Sequence, residues 1–112
     1  FKVAAHVGVY FYELSYEDAL KMAKQQGRKL FIDCYTTWCG PCRMIAPELQ
    51  KLDGDMEGKI KIGKVNVDEQ EFLADKFGIE VIPTLVLIEG GEEKKRLSGY
   101  YSANDLKEKL LK

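Results

Sequence analysis

The chain holds only three cysteines, three prolines, one histidine and one tryptophan. Three cysteines are an odd number and too few for a disulfide scaffold, and they suit one working pair plus one bystander thiol. Long apolar runs are also missing. The longest, Val81 to Ile88, falls well short of the ~18–20 residues of a membrane-spanning helix, contains Pro83 and reads as a buried strand. Nor is there an excess of either charge: 17 Lys and Arg are interleaved with 18 Asp and Glu, as in Glu92-Glu93-Lys94-Lys95-Arg96, and the net charge is −1. This balance gives no reason to expect nucleic acid as a partner, and the charge runs read as solvated faces. No repeat, low-complexity tract or Pro/Gly/Ser-rich linker divides the sequence.

What remains is an ordinary globular composition, 46% apolar and 31% charged over 112 residues, enough for one domain spanning 1–112. The chain begins with Phe1 and not Met. A signal peptide removed upstream would place the protein in the bacterial periplasm, and a trimmed sequence would leave the cytoplasm equally open. A monomer is the default expectation, since no heptad or large apolar surface face is legible.

Periodicity gives the order of elements. Val3 to Tyr12 suggests a first strand. Ser15, with Asp18 three positions on, opens a helix with Ala19, Leu20 and Ala23 on its apolar stripe and Gly27 as its stop. Leu30 to Tyr35 is apolar on both faces, as a strand covered from both sides should be. A helix follows Cys42 to about Leu52, with Met44, Ile45, Leu49 and Leu52 expected inward and Pro47 as a kink. Lys59 to Asp68 reads as a strand, Phe72 to Phe77 as a short helix closed by Gly78, and Ile82 to Ile88 as a strand. Gly90-Gly91 turns the chain into Lys94 to Ser98, and Ser102 caps a last helix with Leu106 and Leu110 inward. The order β-α-β-α-β-α-β-β-α implies an α/β architecture: parallel strands in the first half, a final antiparallel hairpin, and helices on both faces of the sheet.

Three features carry chemistry. Cys39 and Cys42 flank Gly40-Pro41 at a strand-to-helix junction, where unpaired amides and the helix dipole favour a thiolate over a thiol. Pro41 suits the first helical turn, and Cys42, about one turn further in, is expected to be the more shielded. Attack by Cys39 and resolution by Cys42 is thiol–disulfide exchange. A zinc or iron–sulfur site would need more ligands than Cys34 and His6, a haem attachment motif would need His where Arg43 stands, and a structural disulfide would close too short a loop to constrain the chain much. Asp33 lies in an apolar strand, where burial raises its pKa and makes it a candidate to take the Cys42 proton through water; pairing with a lysine or capping a loop is the alternative. Ile82-Pro83-Thr84 starts a buried strand with a proline, which a cis bond beside the cysteines would explain, though a trans bond stays open.

Trp38-Cys39-Gly40-Pro41-Cys42 resembles the active-site motif of the thioredoxin family. Asp33, Pro47, Ile82-Pro83-Thr84 and Gly99 extend the resemblance from Asp33 to the C-terminus, and before Asp33 it weakens. It implies the thioredoxin fold, a mixed sheet flanked by helices on both faces, and no cofactor beyond a redox-active Cys39–Cys42 disulfide. It further implies that Asp33 transfers protons, that Lys64 lies next to it, and that Pro83 is cis and faces the disulfide. Trp38, Gly40, Pro41, Ile82, Pro83 and Gly99 would contact client chains, with client backbone pairing to Ile82. The partners implied are disulfide-containing proteins and an electron donor, either a thioredoxin-reductase-type enzyme or a membrane protein. Gly-Pro between the cysteines resembles the reductase branch; a periplasmic oxidant or isomerase, and a binding module inside an assembly, are the alternatives. Cys34 reads as a small buried hydrophobe.

Overall fold

Local signals set most element ends in a computed structural model, which describes residues 2–4, 11–13, 15–57 and 59–110. The elements are β1 (Lys2–Ala4), β2 (Phe11–Glu13), α1 (Tyr16–Gln25), β3 (Lys29–Tyr35), α2 (Gly40–Asp55), β4 (Ile60–Asn66), α3 (Glu71–Phe77), β5 (Thr84–Glu89), β6 (Glu92–Ser98) and α4 (Ala103–Leu110). The Ser15 hydroxyl accepts the Asp18 amide at 3.1 Å and starts α1; the Ser102 hydroxyl does the same for Asp105 at 3.2 Å and starts α4. Each satisfies one of the amides that a helix start leaves unpaired. Gly78 ends α3 in the left-handed region, at φ 63°, which costs a glycine no Cβ clash.

The strands form one sheet in the order β2-β1-β4-β3-β5-β6. Strands β3 and β4 run parallel with Asp33 opposite Lys64, while β5 is antiparallel to both β3 and β6. The N-terminal part differs from its sequence reading. In place of one strand over Val3 to Tyr12 there are two short strands paired antiparallel, and residues 5–10 lie outside the described residues. A short connection can join antiparallel strands but not parallel ones, which need a crossover of a dozen or more residues. Strand β1 also meets β4 antiparallel, through Lys2 opposite Lys64, so β3–β4 is the one parallel pair among the described residues.

Alternation along the strands sends side chains into two cores. Leu30, Ile32, Cys34, Val65, Val86 and Ile88 pack under α1 and α3. Phe31, Ile60, Ile62, Leu85 and Leu87 pack under α2 and α4. Helices thus cover both faces, as the doubly apolar β3 demands. Helix α2 begins at Gly40, before Cys42, and continues past Gly54 to Asp55. Its buried stripe is Cys42, Ile45, Leu49 and Leu52, spaced by three and four residues. Met44, expected inward, falls off that stripe and is exposed. Val81 is also exposed, because β5 begins only at Thr84.

Candidate active site

Helix α2 follows directly from the end of β3, and Cys39 is its N-cap, in extended backbone at φ −85° and ψ 115°. The Cys39 sulfur accepts the amide hydrogen of Cys42 at 3.2 Å, taking the place of the usual Ser or Asp cap oxygen. Pro41 sits in the first turn, where its missing N–H costs nothing. Cys39 and Cys42 form a disulfide. The sequence suggests that Cys42 is the more shielded, but the two residues are exposed to 6% and 5%. The N-cap hydrogen bond distinguishes them instead. A helix start that already holds one sulfur against an amide can hold the same sulfur as an anion.

Asp33 shares a sheet face with Phe31 and Leu85, the face covered by α2, and Cys42 lies on the stripe that α2 turns toward this sheet. Asp33 is 1% exposed, and neither carboxyl oxygen has a hydrogen-bond partner. Burial pushes its pKa up from 3.8 to about 6, against the opposing pull of Lys64 on the neighbouring strand. The loop-capping alternative therefore fails, and the lysine is an electrostatic neighbour. The Lys64 ammonium also stands 4.5 Å from the centre of the Tyr35 ring, on the same face. Thr36, one residue past β3, buries a hydroxyl oxygen that has no partner either.

Around the disulfide, Trp38 is 68% exposed and donates its indole N–H to an Asp68 carboxylate oxygen at 3.0 Å. Asp68 is in turn fixed by its own amide, which donates to the Asn66 side-chain oxygen at 3.0 Å. Sequence reading misses Asp68, since nothing in the residue pattern links an exposed aspartate to a tryptophan 30 positions away. The Ile82–Pro83 bond is cis. The Gly99 amide donates to the Pro83 carbonyl at 2.8 Å, which joins the segment before β5 to the segment after β6. Gly99 does so at φ 96°, a conformation that side-chain-bearing residues rarely adopt. Ile82 is half-buried, and Gly40 and Pro41 are exposed. Asp33 and Lys64 therefore lie under the helix, while Trp38, Gly40, Pro41, Ile82, Pro83 and Gly99 lie on segments at one end of the sheet. Among the described residues no group of three or more His, Cys, Asp or Glu could hold a metal ion; His6 lies outside them.

Cys34 is fully buried on the opposite face of β3, under α1 and α3. Burial, with Asp33 next to it in the chain, pushes its pKa up to about 12.

The profile of the thioredoxin family matches residues 10–112. Thioredoxin of Staphylococcus haemolyticus is 46% identical over 88 residues, covering 79% of this chain and 84% of that one. Thioredoxin 1 of Chlorobaculum tepidum is 39% identical over 83 residues, covering 74% and 82%. Among solved structures, Fasciola hepatica thioredoxin superposes with a TM-score of 0.74 at 34% identity, covering 85% of this chain and 90% of its own. Thioredoxin NaTrxh of Nicotiana alata gives 0.75 at 29% identity, covering 86% and 82%. The chain belongs to the thioredoxin family and is a thiol–disulfide oxidoreductase that works through its Cys39–Cys42 disulfide.

Proposed function

We propose that this protein reduces disulfides in client proteins, with Cys39 as the attacking thiol and Cys42 as the resolving one. One observation carries most weight: the Cys39 sulfur caps α2 and accepts an amide hydrogen, where a helix best tolerates negative charge. In the dithiol state the Cys39 thiolate attacks one sulfur of a client disulfide. A mixed disulfide forms and the other client sulfur leaves as a thiolate. Cys42 gives its proton through water to the Asp33 carboxylate and attacks the Cys39 sulfur. The second client thiolate departs, the Cys39–Cys42 disulfide closes, and one electron pair has passed to the client. A carboxyl with a pKa of about 6 is mostly ionised at neutral pH and so can accept that proton.

Lys64 is a positioning residue in this scheme, since its charge keeps the Asp33 pKa from rising further. Trp38, Gly40, Pro41, Ile82, Pro83 and Gly99 form the docking groove, with client backbone added as a strand along Ile82. The dithiol is restored by an outside donor, a thioredoxin-reductase-type enzyme or a membrane protein. The chain works as a monomer, and the same chemistry serves in cytoplasm or periplasm.

The reduction potential of the Cys39–Cys42 pair, measured against a dithiothreitol or glutathione buffer with Cys34→Ala as a control, tests the direction of flux. A strongly reducing value is expected. A much more oxidising one points to disulfide formation or isomerisation and overturns the reductase reading. Cys42→Ser in a cell extract is expected to trap many disulfide-linked clients on Cys39; capture of a single partner would favour a binding module.

A further inference from the structure

Among the described residues the large apolar side chains left exposed are Trp38, Met44, Phe72, Val81 and Tyr100. Their placement is not scattered. Parallel β3 and β4 end at the same edge of the sheet, and antiparallel β5 and β6 respectively begin and end there. Trp38 follows β3, Phe72 is the second residue of the helix after β4, Val81 precedes β5, Tyr100 follows β6, and Met44 lies in the first turns of α2. All five thus surround the end that carries the disulfide, and Phe72, 78% exposed, is the barest of them.

Two segments at this end, after β4 and before β5, are acidic. Residues 66–72 and 78–83 contain Asp68, Glu69, Glu71 and Glu80 and no Lys or Arg. Glu69, Glu71 and Glu80 are exposed, and none is ion-paired among the described residues. Arg43, beside Cys42 in the first turn of α2, directs its guanidinium back onto the Thr37 carbonyl at 2.9 and 3.2 Å. At the far end of the sheet, a cleft of about 480 Å³ is lined by Lys24, Arg28, Lys29 and Lys59, with Glu89 as the acidic residue among its lining. Asp53, Asp55, Glu57, Glu92 and Glu93 also lie toward that far end, which is therefore mixed in charge, and the acidic bias is confined to the two segments beside the disulfide.

We propose that this end selects client segments that carry Lys or Arg beside their disulfide. The inference rests on the reductase reading above and narrows its clients by chemistry. Carboxylates around an apolar patch attract a cationic segment before contact and repel an acidic one. The exposed rings of Trp38, Phe72 and Tyr100 then offer faces on which a guanidinium or ammonium is favoured.

The test uses the full protein, pre-reduced, and two peptides that each contain one intramolecular disulfide and differ only in flanking Lys or Glu. The Lys peptide is expected to react about tenfold faster at ~0.01 M salt, with the ratio falling toward one at ~1 M. The double variant Glu69→Lys/Glu80→Lys is expected to invert the ratio, and the milder Glu69→Gln/Glu80→Gln to reduce it toward one. Equal rates for the two peptides at every salt concentration would overturn the proposal, as would a preference that survives both variants. A neutral small disulfide, hydroxyethyl disulfide, separates this failure from the broader one: a wild-type protein that cannot reduce it lacks the reductase activity on which the proposal stands.

Discussion

Asp33 and Cys34 are neighbours in the chain and project from opposite faces of the sheet. Asp33 faces α2 with Phe31 and Leu85, whereas Cys34 is packed under α1 and α3 with Ile32 and Val86. The sheet itself stands between the third thiol and the disulfide. The same alternation that places a carboxylate under the working helix removes Cys34 from any exchange with it.

The first consequence concerns Cys34. A buried thiol whose pKa is pushed up to about 12 holds almost no thiolate at neutral pH, and the thiolate is the reactive form. Iodoacetamide at pH 8 should modify reduced Cys39 while leaving Cys34 untouched until the protein is unfolded in urea. Cys34→Ala should leave the reduction potential unchanged and cost about 1 kcal/mol of stability, for the lost packing of a small core residue. Mass spectrometry that finds Cys34 alkylated in the folded protein would sink this account.

Asp33 links the site to stability. Its folded pKa of about 6 lies above the 3.8 of an ordinary aspartate, so the folded state binds the proton more tightly than the unfolded state does. The stability gained from this is fully present below about 3.8 and is lost as pH rises through about 6, on the order of 3 kcal/mol. Asp33→Asn, which cannot ionise, should therefore be more stable than the wild type at pH 8 by up to about 3 kcal/mol and little different at pH 4. Urea titrations at the two pH values measure the difference. The same variant should turn over more slowly at neutral pH, because Cys42 loses its proton acceptor. Equal stabilities at pH 8 would show that the carboxyl is not held at a raised pKa.

Lys64 acts on this pair from the neighbouring strand. Because its charge opposes the effect of burial on Asp33, removing it should move the Asp33 pKa higher still. Lys64→Met keeps the stem length and removes the charge. The acid limb of the pH–rate profile should shift to higher pH in this variant, and the loss of activity at pH 7 should be partly recovered at pH 8. A limb that stays in place would mean that Lys64 does not govern the proton step.

The strands from β3 onward, the caps and the cysteine pair were legible in the sequence because each has a local cause. Ser15 and Ser102 precede apolar stripes, β3 is apolar on both faces, and Cys39 and Cys42 flank a proline suited to a first helical turn. Features set by distant contacts were not legible. Val3 to Tyr12 is mostly aliphatic and aromatic, and composition does not show that the chain divides there into two antiparallel strands. Met44 is a good core residue by type and exposed by phase, since α2 starts at Gly40 and so fixes which positions face the sheet. The charged run Glu92 to Arg96 belongs to the edge strand β6, where lysine and glutamate also deter pairing with a further strand.

Asp68 was invisible for the same reason, and its hydrogen bond to Trp38 gives the last prediction. The indole is 68% exposed, so packing alone does not hold it beside the disulfide, and its N–H donates to the Asp68 carboxylate at 3.0 Å. Asp68→Asn keeps the shape of the acceptor but weakens it by removing the charge, and Asp68→Ala removes it altogether. If the bond positions Trp38 for clients, the alanine variant should lose about 1 kcal/mol, or roughly fivefold, in kcat/KM for a protein disulfide, and the asparagine variant should lose less. A small disulfide that does not reach Trp38 should react at the wild-type rate in both. Trp38 is the one tryptophan of the chain, so its fluorescence reports the loosened ring directly. A fluorescence change with unaltered protein turnover would mean that the bond orders the indole without serving client binding. A parallel loss on small and protein disulfides would instead place the effect of Asp68 on the disulfide itself.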